Sequence, residues 1–167
     1  MMKATCCLIL FQRKQAKGFT LLELLITMII VGILSAIAYP NFTKQVGKAR
    51  ESEIKFSVGT VNRAQQAYHW EKKQFAQGTD DAASLLLLNL SLPSKYISNF
   101  NIVGNSNNAT IAPDNANFDN YQIKAYAGGM FAAAGNYSQV ICQSESVAEN
   151  MLPPVSSTDC GLGVIID

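Results

Sequence analysis

Between Phe19 and Tyr39 the chain is almost unbrokenly hydrophobic: 16 of 21 residues are apolar and Glu23 is the single charge. Wound as a helix, that run spans roughly 30 Å, the hydrocarbon thickness of a bilayer. The pattern predicts a transmembrane helix. Glu23 is out of place in it, because an ionisable side chain in hydrocarbon costs about 3 kcal/mol on insertion scales and calls for a compensating partner.

After Pro40 the pattern becomes amphipathic. On a 3.6-residue wheel Lys44, Lys48, Glu51, Lys55, Asn62 and Gln66 form a polar stripe, with Phe42, Val46, Ala49, Phe56, Val61, Ala64 and Tyr68 opposite. The helix is expected to continue to about Trp70, giving roughly 50 residues and about 78 Å. Pro40 lacks a backbone donor and crowds the preceding turn, which favours a kink or local melting there.

Beyond Trp70 the signals shorten. Phe75 to Asp81 reads as a loop, Ala82 to Leu90 as a short helix, and Pro93-Ser94 as its end. Tyr96 to Val103, Asn120 to Ala127, Asn136 to Cys142 and Gly161 to Ile166 read as strands, separated by turns at Gly104 to Asn108 and at Gly128-Gly129. The Asn-rich stretch from Asn105 to Asn120 reads as a surface connection. Phe131 to Ala134 fits either strand or turn, and Glu145 to Met151 suggests a short helical piece. The whole is an α+β chain: one long helix, then a short helix and several strands.

Charge refines this picture. Lys and Arg total 13 against 12 Asp and Glu, but Lys3, Arg13, Lys14 and Lys17 all precede the apolar run. The positive-inside rule places that end in the cytoplasm, although Lys44, Lys48 and Arg50 on the other side weaken the bias. From Glu71 onward four Lys face nine acidic residues, which argues against a nucleic-acid-binding surface.

Four cysteines divide into two pairs. Cys6 and Cys7 precede the apolar run and Cys142 and Cys160 follow it, so one framework joining all four would cross the membrane. Cys142 and Cys160 are the expected disulfide, whose loop closure contributes about 3 kcal/mol. The apolar patch Cys6 to Phe11 is too short to span a bilayer.

The residues Lys17-Gly18-Phe19-Thr20-Leu21-Leu22-Glu23, followed by the long apolar helix, resemble the prepilin peptidase recognition site of type IV pilins and pseudopilins. The likeness covers residues 13 to about 45. It implies a type IV pilin fold, cleavage by a membrane peptidase after Gly18, and methylation of the new amine on Phe19. The parts are then a leader over 1–18, a membrane and filament-core helix over 19–40, an amphipathic half over 41–72, and a head over 73–167 with a cysteine-closed loop. Removing the leader leaves nine basic against twelve acidic side chains.

The same resemblance gives Glu23 its partner, the Phe19 amine of a neighbouring copy. Two buried charges that compensate only when subunits stack correctly act as a register key. It also implies that Gly32 to Pro40 loses helical order on assembly, with Gly32, Ser35 and Pro40 permitting it. The implied partners are other copies or other pilins, prepilin peptidase, an assembly platform with its ATPases, and the membrane. The implied location is the inner membrane, with the N-terminus cytoplasmic, before assembly and an extracellular pilus after it.

Enzyme chemistry is not expected. His69 is the only histidine and sits between Tyr68 and Trp70, as a packed or solvated residue more than a ligand. No Ser has a His to activate it, and no phosphate loop or metal motif occurs. Asp80-Asp81 and Asp114 to Asn117 are oxygen-rich but lack full cation-ligand spacing, so no metal or cofactor is expected. Two other readings compete: a pseudopilin of a type II secretion system, and a monomeric signal-anchored binding protein whose helix is only a tether.

Overall fold

A computed structural model describes residues 18–92, 99–113, 118–147 and 151–166. The chain divides into two compact units, Met1–Asn41 and Phe42–Asp167. Helix α1, Leu21–Lys72, begins in the first and ends in the second, close to the expected Trp70.

In the second unit one stripe of α1 is buried: Ile54, Ser57, Val58, Val61, Asn62 and Gln65. This corrects the expected faces. Phe56, on the apolar face of the wheel, is 68% exposed, whereas Asn62, in its polar stripe, is buried. A buried polar residue is tolerated when its groups are bonded, and Asn62 Nδ2 donates to the Val140 carbonyl at 3.2 Å. A hydropathy wheel cannot register that pairing.

Asp80 caps α2 (Asp81–Leu87), its Oδ1 accepting the Ala83 N–H at 2.7 Å. Asp81 Oδ1 accepts the Ile102 N–H at 3.2 Å and so ties α2 to the sheet. The sheet is a meander of five antiparallel strands in the order β1 (Phe100–Gly104), β2 (Asn108–Pro113), β3 (Lys124–Ala133), β4 (Asn136–Val147), β5 (Gly163–Ile165). The expected strand at Tyr96 begins at Phe100; residues 93–98, including Pro93-Ser94, lie outside the described residues.

Three readings of the head are corrected. Asn105 to Asn120 is not merely a connection: it holds β2, which buries Ala109, Ile111 and Ala112, and α3 (Phe118–Tyr121), which buries Phe118. The strand expected from Asn120 begins at Lys124, after Gln122 in the left-handed region at φ 50°. Residues 145–147, expected to open a helical piece, continue β4; residues 148–150 are outside the described set.

Gly128-Gly129 is the fourth correction. Both lie inside β3, and the true β3–β4 turn is Ala134-Gly135, with φ values of 50° and 82°. Two consecutive left-handed residues suit the right-handed twist of a two-residue hairpin. The paired glycines serve close packing instead. A Cβ on Gly128 would stand 2.4 Å from Val58 Cγ1 on α1, and one on Gly129 would stand 2.8 Å from Pro154 Cγ. Helix and C-terminal loop thus press on neighbouring positions of one strand.

The core gathers Ile54, Val58 and Val61 of α1 with Phe100, Ile102, Ile111, Phe118, Ile123, Ala127 and Val140. Buried polar groups fasten it. Gln65 mimics a strand partner: its Nε2 donates to the Ala76 carbonyl at 2.9 Å and its Oε1 accepts the Ala76 N–H at 2.8 Å. Where the β3–β4 register shifts between Lys124 and Tyr126, the Ser144 hydroxyl accepts the Ala125 N–H at 3.0 Å. Glu51 accepts the Lys124 N–H at 3.0 Å and the Tyr126 hydroxyl at 3.3 Å. Burial, reinforced by the Glu51 charge, pushes the Tyr126 phenol up to about 12.

Replacing Gln65 by Leu keeps the volume but orphans both Ala76 backbone groups. Denaturant unfolding of Gln65→Leu should show a loss of roughly 2 to 4 kcal/mol. The Tyr126 phenol binds its proton more tightly in the folded state than the ordinary value of 10, to about 12. Stability should therefore fall as pH rises from about 10 to about 12, and Tyr126→Phe should remove this component of the decline in a pH series of melting curves.

Candidate functional site

The first unit carries most of the candidate residues expected from the sequence. Gly18, Phe19 and Thr20 are exposed and precede the helix, which starts at Leu21. Among the described residues, nothing beyond its own chain neighbours lies within 4 Å of where a Gly18 Cβ would stand. From Leu21 to Asn41 every residue is exposed, Leu21 by 87%. The most apolar 18-residue window in α1 has a mean hydropathy of 2.5 and none of it is buried, so it is long and apolar enough to cross a membrane.

Glu23 has a partner within its own chain, which the sequence reading missed. Its Oε2 accepts the Thr20 N–H at 3.0 Å and the Thr20 hydroxyl at 3.0 Å. The Glu23 N–H donates in return to Thr20 Oγ1 at 3.2 Å. This is a capping box: Thr at the helix cap and Glu three residues on, each satisfying the other's free backbone donor. The spacing that signals it is present in the sequence as Thr20-Leu21-Leu22-Glu23. The cap bonds use Oε2 and leave Oε1 outside them.

Gly32 and Pro40 both lie inside α1, and residues 32–40 are helical. Cys142 and Cys160 form a disulfide with Cα atoms 5.7 Å apart, and both are buried. The bond joins β4 to the turn before β5, and Met151 packs into the same core. Cys6 and Cys7 lie outside the described residues.

The other candidate residues have structural partners. His69 sits at the end of α1 with Nδ1 2.8 Å from the Tyr137 hydroxyl and Nε2 3.1 Å from the Ser106 carbonyl. A carbonyl only accepts, so Nε2 donates to Ser106, while Nδ1 shares a hydrogen bond with the Tyr137 hydroxyl. Asp80 and Asp81 are engaged at α2, and Asp114 to Asn117 fall outside the described residues. Among the described residues no group of three or more His, Cys, Asp or Glu is placed to hold a metal ion.

A long N-terminal helix with an exposed apolar first unit, a five-stranded antiparallel sheet and a C-terminal disulfide make up a type IV pilin fold. Residues 13–39 match the prokaryotic N-terminal methylation motif, and residues 51–160 match the family described as type IV pilin-like G and H. The second match covers more than half of the chain, which belongs to that family.

Similar proteins include the type IV major pilin protein PilA of Myxococcus xanthus, 42% identical over 60 residues, 36% of this chain and 27% of that one. The type IV narrow pilus major component PilA5 of Thermus thermophilus is 42% identical over 50 residues, 30% of this chain and 43% of that protein. The wide pilus major component PilA4 of the same organism is 30% identical over 96 residues, 58% of this chain and 70% of that protein. The chain thus spans less than half the length of the first two relatives. No solved structure matches it at comparable stringency.

Proposed function

We propose that this protein is a structural subunit of a type IV pilus, made as a precursor and polymerised through α1. One observation carries the reading: the first unit leaves a whole turn-by-turn surface of leucine and isoleucine uncovered from Leu21 to Asn41. Such a surface is stable only in lipid or against equivalent helices. A bilayer holds it before assembly and neighbouring copies cover it afterwards. The order of events is insertion in the inner membrane with the N-terminus cytoplasmic, cleavage after Gly18 by prepilin peptidase, methylation at Phe19, and extraction into the fibre by an ATPase-driven platform.

In this mechanism Glu23 has two tasks. Within the chain it closes the helix start through Thr20, and between chains it meets the methylated Phe19 amine of a neighbour, setting axial register. Gly32 and Pro40 supply the points at which α1 can lose order as it packs. The Cys142–Cys160 disulfide fixes the end of the head that an extracellular fibre exposes. A pseudopilin of a type II secretion system shares the N-terminal half of this account. The pilus reading is favoured because the similar proteins are named as pilus and fimbrial components.

The capping box dictates the variant. Gln at the third helical position still completes such a box, so Glu23→Gln removes the charge and keeps the cap, whereas Thr20→Val removes the cap hydroxyl and keeps the charge. Glu23→Gln should be cleaved normally and give at least tenfold fewer sheared surface fibres, with Thr20→Val close to wild type. Wild-type fibre yield from Glu23→Gln would refute the register role. Gly18→Val should accumulate as uncut precursor, seen as the larger band on a gel. N-terminal sequencing of the wild-type protein should begin at methylated Phe19; an intact leader would instead support a tethered monomer. Recovery of the protein from sheared fibres separates a pilin from a pseudopilin.

A further inference from the structure

A groove of 390 Å³ lies beside the last turns of α1, lined by Arg63, Gln66, Ala67, Trp70, Glu71 and Tyr137. Its two rings stand with centroids 6.4 Å apart and planes tilted by 52°. Tyr137 is held in place through its bond to His69, which is anchored in turn to Ser106. Trp70 stays 66% exposed even though Lys73 Nζ sits 5.1 Å from its ring centroid. A rigid tyrosine facing an exposed tryptophan is the composition of an interface anchor site.

The same place has an open strand edge. β5 pairs only with Cys142, Gln143 and Ser144, and Ile141 accepts the Ile166 N–H at 2.9 Å. Among the described residues no strand lies outside β4 from Asn136 to Val140. Backbone groups alternate sides along a strand, so Tyr137 and Gln139 turn their N–H and C=O toward the side that Ile141 presents to β5. The groove and this edge meet at Tyr137.

We propose that groove and edge together bind an extended peptide segment of a partner protein. The segment adds as a short strand along Tyr137 to Gln139 and lays one aromatic side chain in the groove against the exposed surface of Trp70, beside Tyr137. Charge complementarity sets its pattern. Arg63 and Glu71 line the same groove eight residues apart on α1, about 12 Å along the helix. Arg63 donates only a long bond, 3.4 Å, to Thr60 Oγ1, and neither residue is drawn into an ion pair among the described residues.

Four steps of extended chain cover about 13 Å, and alternate residues share one face. The fitting segment therefore carries an acidic residue, an aromatic residue two positions on, and a basic residue two positions beyond that. The acid faces Arg63 and the base faces Glu71. This site is distinct from the proposed filament-core helix, because none of its residues belongs to the apolar first unit.

Trp70 is the only tryptophan in the chain, so its emission reports this groove directly. The test titrates the processed full chain, in detergent, with an end-blocked peptide carrying Asp, Phe and Lys at alternate positions. A saturable blue shift is expected, and exchanging Asp and Lys in the peptide should weaken binding at least tenfold. Arg63→Glu should remove or invert that preference. Gln139→Pro deletes an outward edge donor while sparing the β3 ladder, and should abolish binding with the circular dichroism of the chain unchanged.

The proposal is overturned by no saturable shift with either peptide, or by binding indifferent to both charge order and Gln139→Pro. A protein-concentration-dependent blue shift without peptide would assign the groove to a second copy and also overturn it. Fibre yield is read separately, so this result and the filament reading can fail independently.

Discussion

The head depends on how closely α1 approaches β3. Gly128 has no Cβ because Val58 and Asn62 of the helix occupy that space, with Val58 Cγ1 only 2.4 Å from where the Cβ would stand. That approach lets Ile54, Val58 and Val61 bury against the sheet and brings Asn62 within reach of the Val140 carbonyl. With the helix so near, Gln65 reaches the segment that follows it and pairs with Ala76 as a strand would. One missing methyl group thus underlies both the apolar packing and the polar fastening.

The first unit obeys the opposite rule. Its helix buries nothing in its own chain, and its stability must come from outside, from lipid or from other copies. The two units share one helix and two kinds of solvent. In the head, a residue's environment is set by contacts within the chain. In the first unit it is set by what the chain is placed in.

This difference decides what the sequence could reveal. The apolar run, the helix to about Trp70 and the Cys142–Cys160 bond were all legible, because each is a local pattern or a count of rare residues. The faces of the amphipathic half were not, since Asn62 is buried by virtue of a partner 78 positions away. Gly128-Gly129 reads locally as a turn; only the helix and the Pro154 loop lying over them make them a strand. β2 was hidden because Ala, Thr and Ile among asparagines have little hydrophobic contrast, and its place comes from pairing on both sides. The aromatic groove was invisible because Trp70 and Tyr137 meet only through the fold.

The capping box also bears on the proposed cleavage after Gly18. The helix begins at Leu21 and its start is locked by Thr20 and Glu23, all downstream of Gly18. A cut between Gly18 and Phe19 falls outside everything that defines the helix. The proposed processing would therefore change the charge at the end of the chain without asking the helix to refold, and the helix start would be the same before and after it.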